Sequence, residues 1–203
     1  MLELKTSGES ARNRDILKYI LTHQGATRQH LVDATGLTLL TVTKAVSALL
    51  DANLLVVDGS VTGGMGRRKH LLRINPEHQL VIGVDIGYSS IKIGVVLFNG
   101  QILEKIILPG YPQPIEQGIP YDRMMSTIRA LIVRHGAGRF LGVGASISGM
   151  VDFESGRVLF CPNIGGFNDR PLAEEISAFT GLPVRLDTSA RCMALGESYF
   201  GTG

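Results

Sequence analysis

GVDIGYSSIKIGVV, residues 83–96, decides how the chain is read. Two apolar runs flank the short polar break YSS, the pattern of two strands joined by a tight turn. Asp85 and Gly87 stand where a phosphate-cradling hairpin needs them. Tyr88 occupies a position where such a turn prefers a second glycine, and its side chain restricts how closely the backbone approaches a phosphate. The stretch poses two alternatives: a protein that handles a nucleotide, or a scaffold that has kept the turn and dropped the chemistry.

Strand-like runs continue outward from this hairpin. LVIGVDI (80–86), IKIGVVLF (91–98) and ILEKIILP (102–109) are followed by the helical stretch YDRMMSTIRALIVRHG (121–136) and by another strand, FLGVGASIS (140–148). A helix over RPLAEEISAFTG (170–181), a short strand PVRLD (183–187) and a last helix SARCMALGESYF (189–200) complete the series. Strands alternating with helices around apolar runs predict an α/β domain.

The first 75 residues have a different pattern. RNRDILKYILTHQG (12–25) sets Ile16, Leu17, Ile20 and Leu21 on one helical face, and Gly25 closes it. TRQHLVDATG (27–36) is a short helix with Thr27 as N-cap and Gly36 as stop. A third helix follows at once, with Thr38 as its N-cap, and the tight GLT junction is what a helix-turn-helix requires. At about 100° per residue, Val42, Ala45, Val46 and Leu49 of that helix face the core. Leu40, Thr43, Lys44 and Ser47 point the other way. Such a face of small, polar and basic groups suits a DNA major groove, where Leu40 can touch only a thymine methyl. The alternative is a small helical domain with a solvated face.

Two strands follow, Leu54–Val57 and about Lys69–Ile74, joined by a glycine-rich loop. This is the wing of a winged helix-turn-helix. Arg67, Arg68, Lys69 and His70 at its end suit phosphates or a narrow minor groove. A linker with solvated charges is the other reading. NPEHQ (75–79) then acts as a joint, placing a DNA-binding domain at 1–75 and the α/β domain at 76–203.

Charge follows the same division. Residues 1–75 hold ten Lys/Arg against six Asp/Glu, and residues 76–203 hold ten against twelve. A mildly basic head permits a nucleic-acid partner. Apolar residues make up 44% and charged residues 19% of the 203, ordinary for a globular protein. No apolar run approaches the roughly 20 residues of a membrane span, and the N-terminus lacks a signal-peptide core, so no membrane partner and a cytoplasmic location are expected. Cys161 and Cys192 form neither a metal cluster nor a disulfide framework.

The order and spacing of several stretches resemble the transcriptional regulators of the ROK family (repressors, open reading frames, kinases). They are GLTLLTVTKAV (36–46), GRRKHLLRINP (66–76), VIGVDIG (81–87), GVGASISGMVDFESGRV (142–158), CPNIGGFNDRPLAEEI (161–176) and LPVRLDTSARCMALGESYFGTG (182–203). The resemblance covers nearly the whole chain. It implies a multi-domain protein: an α-helical winged helix-turn-helix followed by an α/β actin-like ATPase (ribonuclease H-like) lobe of the sugar-kinase type.

Carried over position by position, the resemblance gives Asp85, Gly87 and Ser89 as a degenerate phosphate loop, with Tyr88 in place of glycine. It gives Asn163 as a sugar ligand. Thr188 and Ser189 stand on the Asn-Asp pair whose aspartate is the general base of kinase members. A serine hydroxyl has no useful basicity near neutral pH, so no catalytic residue, cofactor or metal is assigned. Asp187 would need a register shifted by two positions to serve as that base.

The resemblance therefore implies a sugar-responsive repressor of carbohydrate-use genes. Its partners would be a double-stranded DNA operator, contacted by Thr38, Leu40, Thr43, Lys44, Ser47, Arg67, Arg68 and Lys69, and a small sugar or sugar-phosphate effector. Homo-oligomerisation is implied for a full-length form. The family carries a second lobe with a zinc-binding segment, and this sequence, stopping at GESYFGTG, is expected to hold the first lobe only. A sugar kinase with a DNA-binding head and a non-functional fragment are the competing readings.

Overall fold

A computed structural model describes residues 8–61, 69–110 and 119–201. Its described residues divide into two compact units, one within 8–78 together with 199–201, the other within 79–198.

The first unit is built on three helices, α1 (Gly8–Thr22), α2 (Arg28–Thr35) and α3 (Leu39–Asp51), and two antiparallel strands, β1 (Leu55–Val61) and β2 (Lys69–Ile74). Ile16 and Ile20, one helical turn apart, are fully inside, as are Leu31, Val42, Val46 and Leu72. Thr27 starts α2 with a capping box: its hydroxyl accepts from the His30 N–H while His30 Nδ1 accepts from the Thr27 N–H. Gly36 ends α2 at φ +68°, a left-handed conformation that costs glycine little. Thr38 then caps α3, its hydroxyl accepting from the Thr41 N–H at 3.2 Å. Ala26 exchanges both backbone hydrogen bonds with Leu72, which ties the α1–α2 junction to β2.

The expected first wing strand stops at Val57, whereas β1 runs on to Val61. The register between β1 and β2 shifts between Val57 and Ser60, and Gly59 there has φ +78°. Gly59 thus sits at a bulge inside the strand. The GGMG segment with Arg67 and Arg68 lies outside the described residues.

The second unit is a five-stranded mixed sheet with strands β3 (Leu80–Ile86), β4 (Ser90–Leu97), β5 (Ile102–Pro109), β6 (Phe140–Ile147) and β9 (Val184–Thr188). Their order is β5-β4-β3-β6-β9, antiparallel among the first three and parallel from β3 through β6 to β9. Leu80, Ile82, Val84 and Ile86 alternate inward along β3. They share one buried cluster with Met124, Ile128 and Leu131 of α4 (Ile119–His135) and Ile176 of α5 (Leu172–Thr180).

Between β6 and α5 lies a small hairpin, β7 (Met150–Asp152) and β8 (Arg157–Phe160), absent from the sequence reading. The chain closes with α6 (Ser189–Phe200), which begins directly at the end of β9.

Candidate functional site

Asp85 lies one residue before the end of β3, on the sheet face opposite Ile82, Val84 and Ile86. Strand register sets a row across the sheet through it: Lys92 on β4, Asp85 on β3, Ser146 on β6 and Asp187 on β9 are successive partners. Paired residues share a face, so these four side chains emerge together, close to the carboxyl ends of the three parallel strands. In open α/β sheets this edge is where ligands bind.

The contacts converge on the Asp85 carboxylate. Ser146 Oγ donates to its Oδ1 at 2.8 Å, and Lys92 Nζ lies 3.1 Å from its Oδ2. Ser189 Oγ lies 3.5 Å from Oδ1 and 3.5 Å from Ser148 Oγ. One carboxylate, one ammonium and three hydroxyls therefore share a small region. Ser146 is buried, whereas the Asp85 and Lys92 side chains are 39% and 47% exposed, so the ion pair faces water and a ligand can reach it. Burial pushes the Cys192 thiol above its ordinary range, with the Asp187 and Asp85 carboxylates adding to the rise. Cys192, one turn into α6, thus lies in the field of the same acidic pair.

The turn Gly87–Ser90 projects from this edge. Gly87 N–H donates to the Ser90 carbonyl at 3.1 Å, and Tyr88 stands out into solvent. Ser89 is exposed and its carbonyl accepts from the Gly110 N–H. Gly110 approaches so closely that a Cβ there would lie 2.1 Å from the Tyr88 carbonyl oxygen.

Thr188 and Asp187 have structural partners. The Thr188 hydroxyl accepts from the Arg191 N–H at 3.4 Å, the geometry of a cap on α6. Asp187 is buried, and its carboxylate accepts from the Thr188 N–H at 2.7 Å and faces Arg191 Nε at 3.4 Å. Asn163 lies exposed in the loop between β8 and α5. That loop is pinned two residues earlier, where the Cys161 thiol donates to the Ser148 carbonyl at 3.4 Å and the Cys161 N–H donates to Asn168 Oδ1. Ser148 thus touches both the Asn163 loop and Ser189. At the loop's far end, Arg170 packs 4.0 Å from the Tyr121 ring and forks onto Glu175, to which Tyr121 Oη donates at 2.8 Å.

Sequence reasoning missed Lys92, Ser146 and Ser148. Lys92 was within reach, because a tight turn over Gly87–Ser90 pairs Asp85 with Lys92 by counting outward. Ser146 arrives on a strand about sixty residues away and Ser148 lies just past that strand's end, and only the β3–β6 pairing brings them here.

In the helical unit, Thr38, Leu40, Lys44 and Ser47 are exposed along α3 and Thr43 is half-buried, while Val42, Val46 and Leu49 are buried on the other side. Ala45 is half-buried at the margin. The first turn of α3 carries no acidic residue. Lys69 opens β2 and is exposed; Arg67 and Arg68 lie outside the described residues.

Comparison with known proteins fits this architecture. The chain is 28% identical to the xylose repressor of Caldicellulosiruptor bescii over 192 residues, 92% of this chain and 47% of that protein. It is 36% identical to the glucokinase of Streptomyces coelicolor over 126 residues, 61% of this chain and 37% of that protein. A solved ROK family transcriptional regulator, a homologue of the E. coli MLC protein, shares its fold with a TM-score of 0.68 at 23% identity. That likeness covers 95% of this chain and 48% of the other. The chain thus spans about half the length of the repressor it matches. The ROK family model matches residues 81–203, more than half of the sequence, and the chain belongs to the ROK family.

Proposed function

We propose that the chain is a sugar-responsive DNA-binding regulator, a repressor of carbohydrate-use genes, whose kinase-like unit binds a sugar without phosphorylating it. The observation that carries the DNA-binding half is α3. Its buried face makes the core of the helical unit, and its opposite face presents Thr38, Thr43, Lys44 and Ser47 with no carboxylate in the first turn. A helix in this setting, entered through the three-residue turn Gly36–Thr38 and followed by a β-hairpin, supports the reading of this unit as a winged helix-turn-helix. In this reading α3 enters the major groove, while Lys69, with Arg67 and Arg68, holds phosphates. Similarity to xylose repressors along 92% of the chain supports this, and makes xylose the first sugar to try.

The site around Asp85 supports the sugar-binding half. A carboxylate with three hydroxyls and an ammonium offers both donors and acceptors to a polyhydroxylated ligand, and Asn163 adds an exposed amide. Ser189 supplies a hydroxyl at the position the kinase members give to their base. Occupation of this unit changes the affinity of the helical unit for DNA. The test measures the affinity of the purified chain for a DNA fragment it selects, at fixed salt, across a panel of pentoses, hexoses and their phosphates. One sugar shifting that affinity supports the reading; indifference to all of them removes the sugar-responsive half.

A sugar kinase is the second reading, favoured by the glucokinase similarity and by the retained Asp85 carboxylate with its Ser146 donor. ATP-dependent formation of a sugar phosphate, lost in Asp85→Ala, would establish it. A homodimer on two half-sites about 34 Å apart is the form in which the regulator acts on its operator.

A further inference from the structure

Leu40 and Leu39 stand 66% and 57% exposed at the first two positions of α3, whereas Val42, Val46 and Leu49 of the same helix are buried. At about 100° per residue Leu40 lies in the middle of the exposed arc, between Ser47 and Thr43 on one side and Lys44 on the other. Leu39 lies at the rim. Helical side chains lean toward the N-terminus, so both leucines project at the leading end of α3. The thirteen-residue helix directs its positive dipole end the same way, and the exposed Lys44 adds charge of the same sign. The surround therefore favours a polyanion.

A leucine offers no hydrogen bond, and Leu40 covers little of the core. Within a major groove, the base edges display one apolar group a leucine side chain can grip, the C5-methyl of thymine. We infer that Leu40, flanked by Leu39, is a specificity-determining contact that reads thymine methyl groups; this rests on the DNA-binding reading above. The polar residues on either side fix register, and the leucines select T against C at the bases they cover.

The test uses the whole chain and the duplex it selects from sheared genomic DNA. Each thymine of that duplex is replaced singly by deoxyuridine, which deletes one methyl and keeps the Watson–Crick edge. At one or two thymines per half-site the substitution is expected to weaken binding roughly fourfold, the factor that corresponds to about 0.8 kcal/mol for one buried methyl. That penalty disappears in Leu40→Ala. It persists in Lys69→Ala, which weakens every duplex alike, as loss of a phosphate contact should. Because Leu40 is exposed, alanine removes little core contact, and an unchanged melting curve verifies this. A selected duplex in which every uracil is tolerated overturns the inference and leaves DNA binding standing. So does a penalty that persists in Leu40→Ala. Failure to select any sequence overturns the inference together with the reading beneath it.

Discussion

Asp85 and Lys92 are direct partners across the β3–β4 hairpin, with Lys92 Nζ 3.1 Å from the Asp85 carboxylate. Both side chains are more than a third exposed, so water screens the pair and it holds little of the fold. Lys92→Met is predicted to change the unfolding free energy by about 1 kcal/mol or less, because Asp85 keeps Ser146 as a donor. Urea denaturation checks this. A loss above about 2 kcal/mol would assign the pair to folding rather than to ligand binding.

Gly110 tests the turn beside that pair. An added Cβ would meet backbone on all its nearest sides, the Tyr88 carbonyl oxygen at 2.1 Å and the Ser90 nitrogen at 2.5 Å. Backbone cannot swing aside as a side-chain tip does. Gly110→Ala is expected to destabilise the α/β unit by about 1–3 kcal/mol, measured by thermal unfolding. Gly144→Ala, at a position with nothing within 4 Å, is the matched control and should cost far less.

Thr38 carries the N-terminus of α3. Thr38→Ala removes the acceptor for the Thr41 N–H and should cost about 1 kcal/mol, while Thr38→Ser keeps it and should cost less. Circular dichroism melts of the two variants compare them directly.

Tyr121 sets a pH limit. Burial and the hydrogen bond it gives Glu175 push its hydroxyl up from 10.0 to about 12. The folded chain therefore holds this proton more tightly than the unfolded chain. The stability it contributes is complete below about pH 10 and is lost as pH rises toward about 12. A plot of unfolding midpoint against pH should fall through that window, and Tyr121→Phe should flatten this part of the fall. The same variant leaves Glu175 without one donor, so a lower midpoint at neutral pH is expected too.

Much of this architecture was legible because its signals are local. Alternation along Leu80–Ile86 fixes which face of β3 is buried, and Thr27, Gly36 and Thr38 punctuate the helices by side-chain and backbone chemistry of their own. Asp85 was legible from the turn that follows it. What escaped depends on distance or on short length. Ser146 and Ser148 reach Asp85 and Ser189 only through pairing between strands remote in sequence. The β7–β8 strands are three and four residues long, too short for alternation to show, and are held by the Arg157–Asp169 ion pair and the Val158–Arg170 bridge. Thr188 stands at its motif position and its hydroxyl also accepts the Arg191 N–H, a capping role that the motif did not foretell. A motif fixes position; it does not say which partner a hydroxyl will find.

The proposed regulator stands or falls on whether α3 reads sequence in DNA. Selection of bound fragments from sheared genomic DNA by the purified chain, at near-physiological salt, tests it most directly. A sequence-reading α3 recovers a few fragments sharing a common motif, arranged as two half-sites about one helical turn apart. Recovery of DNA at random, with affinity that only falls as salt rises, would contradict it, because phosphate contacts alone carry no sequence information.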